Sequence, residues 1–502
     1  MSLDIASQKS APNSSPSQLR NGLYNVGGQV VRGAIGLLAI PFLIRFLGIS
    51  EYGVWSLACA FLALMTMCEA GLSVAAAVFL SKDLATNDAR EAGCTIAFIL
   101  LSATLLSAAI GLLLWFEGPL LVRPLTAFGR AEQGEAGRAL QIAGFGAATL
   151  ILQRTLVGIE QAFNWYGVIT ALDLVQTLVT TLGLVAIAWL GGKTVEMMEW
   201  QVLAAVILLI AHAGVVTRLF RNQQLHFEWS GSKGLQIFRY SLATWGATLG
   251  TAAFSQCDRL IVGGMLGAPV LGIYSAITGI ASKINSFSGT AVQPLVPGLS
   301  RDGAMNVSSE ERIRQAVHLN ALIAIGSGIF LYMLADWIMR KMIPGTSGAH
   351  EILGLQIAAV IYALYSLNAP GFYVLYAVGR AQTNAGVVLF SGVLSLALIL
   401  LGSRYFGLLG ALAGNAGYLL TLILIAYGLG KVGIALSHYL SWISFPLVGF
   451  VAALIFGLAF QSVIWLRAAF LLGLAACALW WSLRGRYGLG STKIGIGQVS
   501  ES

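Results

Sequence analysis

The sequence predicts an all-α polytopic membrane protein, and three observations carry that prediction. Hydrophobic residues make up 57% of the 502 positions and charged residues only 10%, against roughly 45–50% and 25% in soluble domains. Mean hydropathy is +0.81. Apolar windows of about 20 residues, the length a helix needs to cross the hydrocarbon core, recur along the chain. An open sheet cannot satisfy its backbone in lipid, and the repeated alternation of an outer-membrane barrel is absent, so the spans are helices.

Taken in order, the windows give fourteen candidate spans: 22–46, 53–80, 93–115, 139–159, 167–190, 199–220, 238–264, 270–296, 316–339, 352–378, 383–402, 406–429, 440–461 and 464–483. Residues 1–20 are rich in Ser, Asn and Pro with no apolar core, which reads as a disordered cytoplasmic tail, so the first span directs insertion. Residues 21–220 then form an N-terminal six-helix bundle, 221–237 a cytoplasmic linker and 238–430 a C-terminal six-helix bundle. Residues 431–484 supply two peripheral helices, and 485–502 are a second tail. The longest loops, 116–138 and 221–237, are too short to be folded domains.

The bundle division follows from an internal repeat. Shifting Asn25–Ser56 by 219 positions carries Leu47-Gly48-x4-Gly53-x-Trp55-Ser56 onto Leu266-Gly267-x4-Gly272-x-Tyr274-Ser275. The same shift carries Asn25, Gln29, Arg32 and Gly36 onto Thr244, Thr248, Thr251 and Ser255, a polar stripe at helical spacing. Six crossings separate the copies, so they are parallel repeats, a plan in which substrate binds between the halves. The loop reads as a turn at the outer surface, and the helix before it as the functional part. A weaker match, Leu401-Gly402-x4-Gly407, reads as coincidence or a helix-turn preference.

Lysine and arginine set the orientation. With both termini cytoplasmic, seventeen of the 29 fall inside and nine outside, as the positive-inside rule favours. The net charge of +8 is then a topology and anionic-lipid signal. No basic cluster interleaved with aromatics points to nucleic acid. The five cysteines form no CxxC and read as small packing residues. No Walker loop, HExxH or GxSxG occurs, so a pump ATPase, a zinc hydrolase and a serine hydrolase lack their usual parts.

Charge inside the spans is the informative part, because each group costs about 2.5–3.5 kcal/mol at a helix centre unless it faces a cavity or a partner. The candidates are Arg32, Glu69, Asp173, Asp258, Arg259 and Lys283. In the bland reading Arg32 pairs with Glu69, and Asp258 or Arg259 pairs with Lys283 or Asp173. In the functional reading Arg32, Arg259 and Lys283 hold an anionic ligand with Asn25, Gln29, Thr244, Thr248, Thr251 and Ser255. Glu69, Asp173 and Asp258 then balance charge or couple an ion. Asp173, Gln176, Thr177 and Thr180 add a polar face to the fifth span. Pro370 and Gly371 break the tenth, a hinge flanked by Tyr362, Tyr365, Tyr373 and Tyr376.

The run Pro41-Phe42-Leu43-x2-Phe46-Leu47-Gly48-x3-Tyr52-Gly53-x-Trp55-Ser56, then Glu69-Ala70-Gly71-Leu72, then Asp258-Arg259-Leu260-Ile261-x2-Gly264-x2-Gly267-x4-Gly272-x-Tyr274 resembles the Wzx-type O-antigen and exopolysaccharide flippases of the MOP superfamily. The resemblance covers about residues 20–430. It implies a MATE-like fold and a non-enzymatic transporter in the bacterial inner membrane. Its substrate would be undecaprenyl-diphosphate-linked oligosaccharide, moved from the inner to the outer leaflet by alternating access for O-antigen or exopolysaccharide synthesis. It further implies no cofactor beyond a coupling ion, H+ or Na+, a monomeric state, and membrane lipids and polysaccharide assembly proteins as partners.

Glu69 stands where the family pattern has Asp, which keeps the charge and changes the reach. Lipid II flippases carry several arginines in the N-terminal bundle; here only Arg32 lies within the first two spans. The competing readings are a MATE-like multidrug or cation antiporter, a lipid II flippase, and a membrane-embedded polysaccharide polymerase or ligase. An antiporter cavity should be net acidic, whereas this interior holds three cations and three acids. A polymerase or ligase should show a large outer loop with catalytic His or Arg; the loop 116–138 has Arg123, Arg130 and Arg138 and no histidine.

Overall fold

The computed structural model describes residues 16–86, 88–125, 127–293, 295–296, 299, 307–343, 348–460 and 463–487. All regular structure among them is helical. The N-terminal part comprises α1 (Pro16–Leu47), α2 (Ile49–Thr66), α3 (Leu72–Ala85), α4 (Ala89–Leu125), α5 (Arg130–Ala162), α6 (Tyr166–Trp189) and α7 (Thr194–Gln223). The rest comprises α8 (Gly231–Val292), α9 (Val307–Met333), α10 (Ala335–Met342), α11 (Ala349–Ser366), α12 (Ala369–Ala377), α13 (Ala381–Gly414), α14 (Ile423–Lys431), α15 (Leu436–Ala459) and α16 (Ile464–Tyr487). Ten spans among the described residues are long and apolar enough to cross a bilayer. The protein is a multi-pass membrane protein.

Two helices are broken within by a glycine of non-helical backbone. The 62 residues of α8 would extend about 93 Å if straight, three times a hydrocarbon core of about 30 Å. Gly267, at φ 82° and ψ 175°, breaks it into two arms, and they fold back on each other: the Leu271 side chain lies 3.0 Å from where a Cβ on Gly263 would stand. Gly407 does the same for α13 at φ 58°, with Gly402 and Gly410 in backbone contact across the turn. Here the second glycine of the Gly-x4-Gly spacing carries the reversal. In the two true copies it is the first, Gly48 at φ 81° and Gly267 at φ 82°.

Helix ends depart from the apolar windows. Helix α1 is described from Pro16, within the segment expected as a tail. Residues 1–15 lie outside the described residues. The interval 116–138 contracts to a short connection because α4 runs to Leu125 and α5 starts at Arg130, and the linker 221–237 contracts to the stretch between Gln223 and Gly231. Hydropathy windows see only apolar turns; the polar turns beyond them are held by caps. The Glu132 carboxylate accepts from the Gly129 N–H at 3.0 Å, and Glu196 accepts from the Lys193 N–H at 2.8 Å.

The sequence repeat is also a contact. Gly53 and Gly272, 219 residues apart, meet backbone to backbone: a Cβ on Gly53 would stand 1.9 Å from the Ala268 carbonyl oxygen, and one on Gly272 2.2 Å from that of Ile49. One turn on, Ser56 Oγ donates to Ser275 Oγ at 2.6 Å. Val54, Leu57, Ala268, Leu271 and Tyr274 are fully buried around this crossing. The loop motif expected only as a surface turn is therefore the seam between the two copies.

At the start of its first arm, α8 is pinned to the N-terminal helices. Lys233 Nζ reaches Asp83 Oδ1 at 2.8 Å and Glu91 Oε2 at 2.9 Å. Thr95 Oγ1 donates to Asp83 Oδ2 at 2.6 Å. Burial opposes the charge on Lys233, but its bonds to Asp83 and Glu91 outweigh that and hold the ammonium pKa above the usual lysine range. Trp245 Nε1 donates to the Met67 carbonyl at 2.6 Å, where Ala70 (φ 55°) and Gly71 (φ 72°) separate α2 from α3 in a left-handed turn. The 219-residue shift carries that turn onto Ser288–Thr290, where α8 is unbroken.

Candidate functional site

Arg32 and Lys283 stand at matched depth. Each is sixteen residues from its turn glycine, Gly48 or Gly267, about 24 Å along the helix axis. Both line one cavity of about 460 Å³ with Gly33, Asn285, Ser286, Phe287, Gly289, Thr290, Gln293 and Tyr373. One wall is α1, the other the second arm of α8, with Tyr373 supplied by α12. A Cβ on Gly33 would stand 3.2 Å from the Phe287 ring, so the two walls touch beside the cavity. Lys283, Ser286, Thr290 and Gln293 recur at helical spacing and give that arm a polar face toward the cavity. Sequence reading singled out only the lysine of that set, although its period was there to be read.

Arg32 is balanced by Asp173 of α6, at 3.2 Å, with both side chains partly exposed. The pairing of Arg32 with Glu69 is not formed. Glu69 sits in the α2–α3 turn and accepts from Ser73 Oγ at 2.8 Å, and its Oε2 is buried without a hydrogen-bond partner among the described residues. No salt bridge reaches Lys283 among the described residues, and the nearby Arg259 charge repels it. Asp258 pairs with neither Lys283 nor Asp173. Its Oδ2 accepts from Tyr274 Oη at 2.9 Å and its Oδ1 from the Arg259 N–H at 2.7 Å. Tyr274 in turn accepts from Asn415 Nδ2 at 3.2 Å, and Tyr362 Oη donates to Asn415 Oδ1 at 3.3 Å. Asp258 thus anchors a buried chain of hydrogen bonds away from the cavity, and Tyr274 of the seam motif is part of it. Arg259 donates to Gln256 Oε1 at 3.1 Å.

The hydroxyl and amide candidates divide. Thr244 Oγ1 donates to its own helix at the Tyr240 carbonyl, 2.9 Å, and Thr177 does the same at the Asp173 carbonyl. Gln176 exchanges bonds with Gln153 of α5 at 2.7 and 3.3 Å. The side chains of Asn25, Gln29, Thr248, Thr251 and Ser255 lie outside the described residues. Pro370 and Gly371 open α12 and are buried. A Cβ on Gly371 would stand 2.3 Å from the Leu424 carbonyl oxygen, so the break is packed directly on α14. A buried pair missed in the sequence, Glu160 and His212, lies at 2.8 Å in the N-terminal helices. Glu160 fell just past an apolar window, and a lone histidine in an apolar span carries no signal of its own.

A family model described as polysaccharide biosynthesis protein matches residues 18–302, more than half of the chain. The chain belongs to the polysaccharide biosynthesis protein family. A Shigella flexneri protein carrying the provisional name O-antigen transporter is 21% identical over 404 residues, 79% of this chain and 93% of the relative. Among solved structures, lipid II flippase MurJ in an inward closed conformation superposes with a TM-score of 0.74 at 13% identity, over 93% of this chain and 99% of that one. A multidrug resistance MATE family transporter of the MOP superfamily, inward-facing, gives 0.67 at 14% identity, over 80% and 94%. The fold of this family member is MATE-like, and its relatives are transporters rather than enzymes.

Proposed function

We propose that this member of the polysaccharide biosynthesis family flips undecaprenyl-diphosphate-linked oligosaccharide from the inner to the outer leaflet of a bacterial inner membrane. One observation carries the reading: Arg32 and Lys283 face one polar cavity from the two repeats. A lipid diphosphate brings negative charge into low dielectric, and a guanidinium opposite an ammonium suits it, the first by bidentate bonds and the second as a point charge. Asn285 and Gln293 offer amide donors and acceptors to sugar hydroxyls, Ser286 and Thr290, whose hydroxyls donate to the Ser282 and Ser286 carbonyls of their own helix, offer acceptor oxygens, and the Tyr373 ring offers an apolar face. The prenyl chain stays in lipid.

In this reading both termini are cytoplasmic, the Ser56–Ser275 seam closes the outer side, and the cleft faces inward. Transport by alternating access then requires that substrate bind one state better than the other, since equal affinity shifts nothing. The test is a deletion strain. Loss of surface polysaccharide, with lipid-linked oligosaccharide held in the inner leaflet and export restored by the wild-type chain, is the expected result. Unchanged surface polysaccharide with lost dye efflux would favour an antiporter instead.

A further inference from the structure

Glu160 and His212 are completely buried, with Nδ1 and Oε1 2.8 Å apart. Each keeps one atom, Glu160 Oε2 and His212 Nε2, without a hydrogen-bond partner among the described residues. A buried polar atom left unpaired costs about 1–3 kcal/mol, so a purely structural pair would be wasteful here. From α3 and α4 the surroundings are apolar: Ala76, Leu80, Ile96 and Ile99 pack with Leu156, Ile159 and Val216. The charged groups come from elsewhere. Asp173 of α6, held by Arg32 of α1, interacts electrostatically with His212. Arg154 of α5 acts on Glu69 in the α2–α3 turn. Glu51 of α2 meets the opposite end of α7 at Thr194.

We propose that Glu160 and His212 form a proton-binding site coupled through Asp173 to Arg32, so that binding an anion in the cleft takes up one proton. This rests on the cleft function proposed above. With its proton the pair is imidazolium and carboxylate, net charge zero. Without it the pair carries one negative charge, which opposes a second anion at Arg32 across low dielectric. Anion binding therefore favours the protonated pair, and by reciprocity the proton favours the anion. Glu160→Gln and His212→Gln each remove one of the two groups that share the proton, and so remove the site.

The experiment uses the full chain in detergent and undecaprenyl diphosphate as the probe, across about pH 5.5 to 8.5, the range in which histidine ordinarily titrates. Wild-type affinity should weaken as pH rises, by at most about tenfold per unit for one linked proton. E160Q and H212Q should each bind without that pH dependence. A wild-type slope retained in both variants overturns the proposal. Without ligand, acid-minus-alkaline infrared difference spectra should show imidazole and carboxylate bands in wild type that both variants lack; wild type without them also overturns it. Those bands present with no undecaprenyl diphosphate binding at any pH would overturn the cleft function and its coupling, while the proton site stands.

Discussion

Ser56 and Ser275 occupy equivalent positions 219 residues apart, and their hydroxyl oxygens meet at 2.6 Å in a buried contact. The local pseudo-two-fold relation between the copies therefore passes through a hydrogen bond joining them. Cysteines at both positions should form a disulfide, since the side chains already converge. S56C/S275C should export polysaccharide only with reductant present, and activity equal to wild type in oxidant with the disulfide formed would mean that this seam never opens in the cycle.

Gly53 has no room for a side chain. Gly53→Ala drives a methyl into the Ala268 carbonyl and should destabilise by about 1–3 kcal/mol through overpacking. Gly36→Ala is the control: no atom of the described residues lies within 4 Å of its added methyl, and the helix gains about 1 kcal/mol from the better propensity. Thermal unfolding midpoints in detergent should move in opposite directions.

Arg32→Ala should abolish polysaccharide export, while Arg32→Lys keeps part of it because charge survives and bidentate geometry is lost. Asp173 loses its partner in the alanine variant. Arg32→Ala/Asp173→Ala should therefore recover protein level without recovering export. Recovery of both would reduce Arg32 to a structural counter-ion.

Lys233 should stabilise the fold up to strongly alkaline pH. A group whose pKa is raised in the folded state contributes fully below its unfolded value, about 10.4 for lysine, and that contribution is lost as pH rises through the higher folded value. Lys233→Met strands the buried Asp83 carboxylate and should cost about 3 kcal/mol at neutral pH. Unfolding midpoints against pH should show an alkaline drop in wild type that the variant lacks.

The spans and the repeat were legible because both are periodic. Gly48 and Gly267 recur because each turn demands a left-handed φ, and Gly53 and Gly272 recur because two backbones meet there. Pairing was not legible. Arg32 meets Asp173 rather than Glu69 because α1 packs on α6, and spacing along one helix says nothing of which neighbour it will meet. The Glu160–His212 pair depends likewise on how α5 and α7 cross. Helix ends were misplaced where polar turns continue under caps, since hydropathy reports the lipid and not the helix.

The glycine seam also bears on what must not pass. A carrier wide enough for a sugar-bearing headgroup endangers the cell if water ever connects both faces, because each ion leaking through dissipates about 2.3 kcal/mol per 100 mV of membrane potential. Hydrated side chains would make a poor gasket. Backbone pressed on backbone at Gly53 and Gly272 leaves no space for a water file, so in the proposed cycle the same contact that joins the repeats keeps the membrane from being short-circuited.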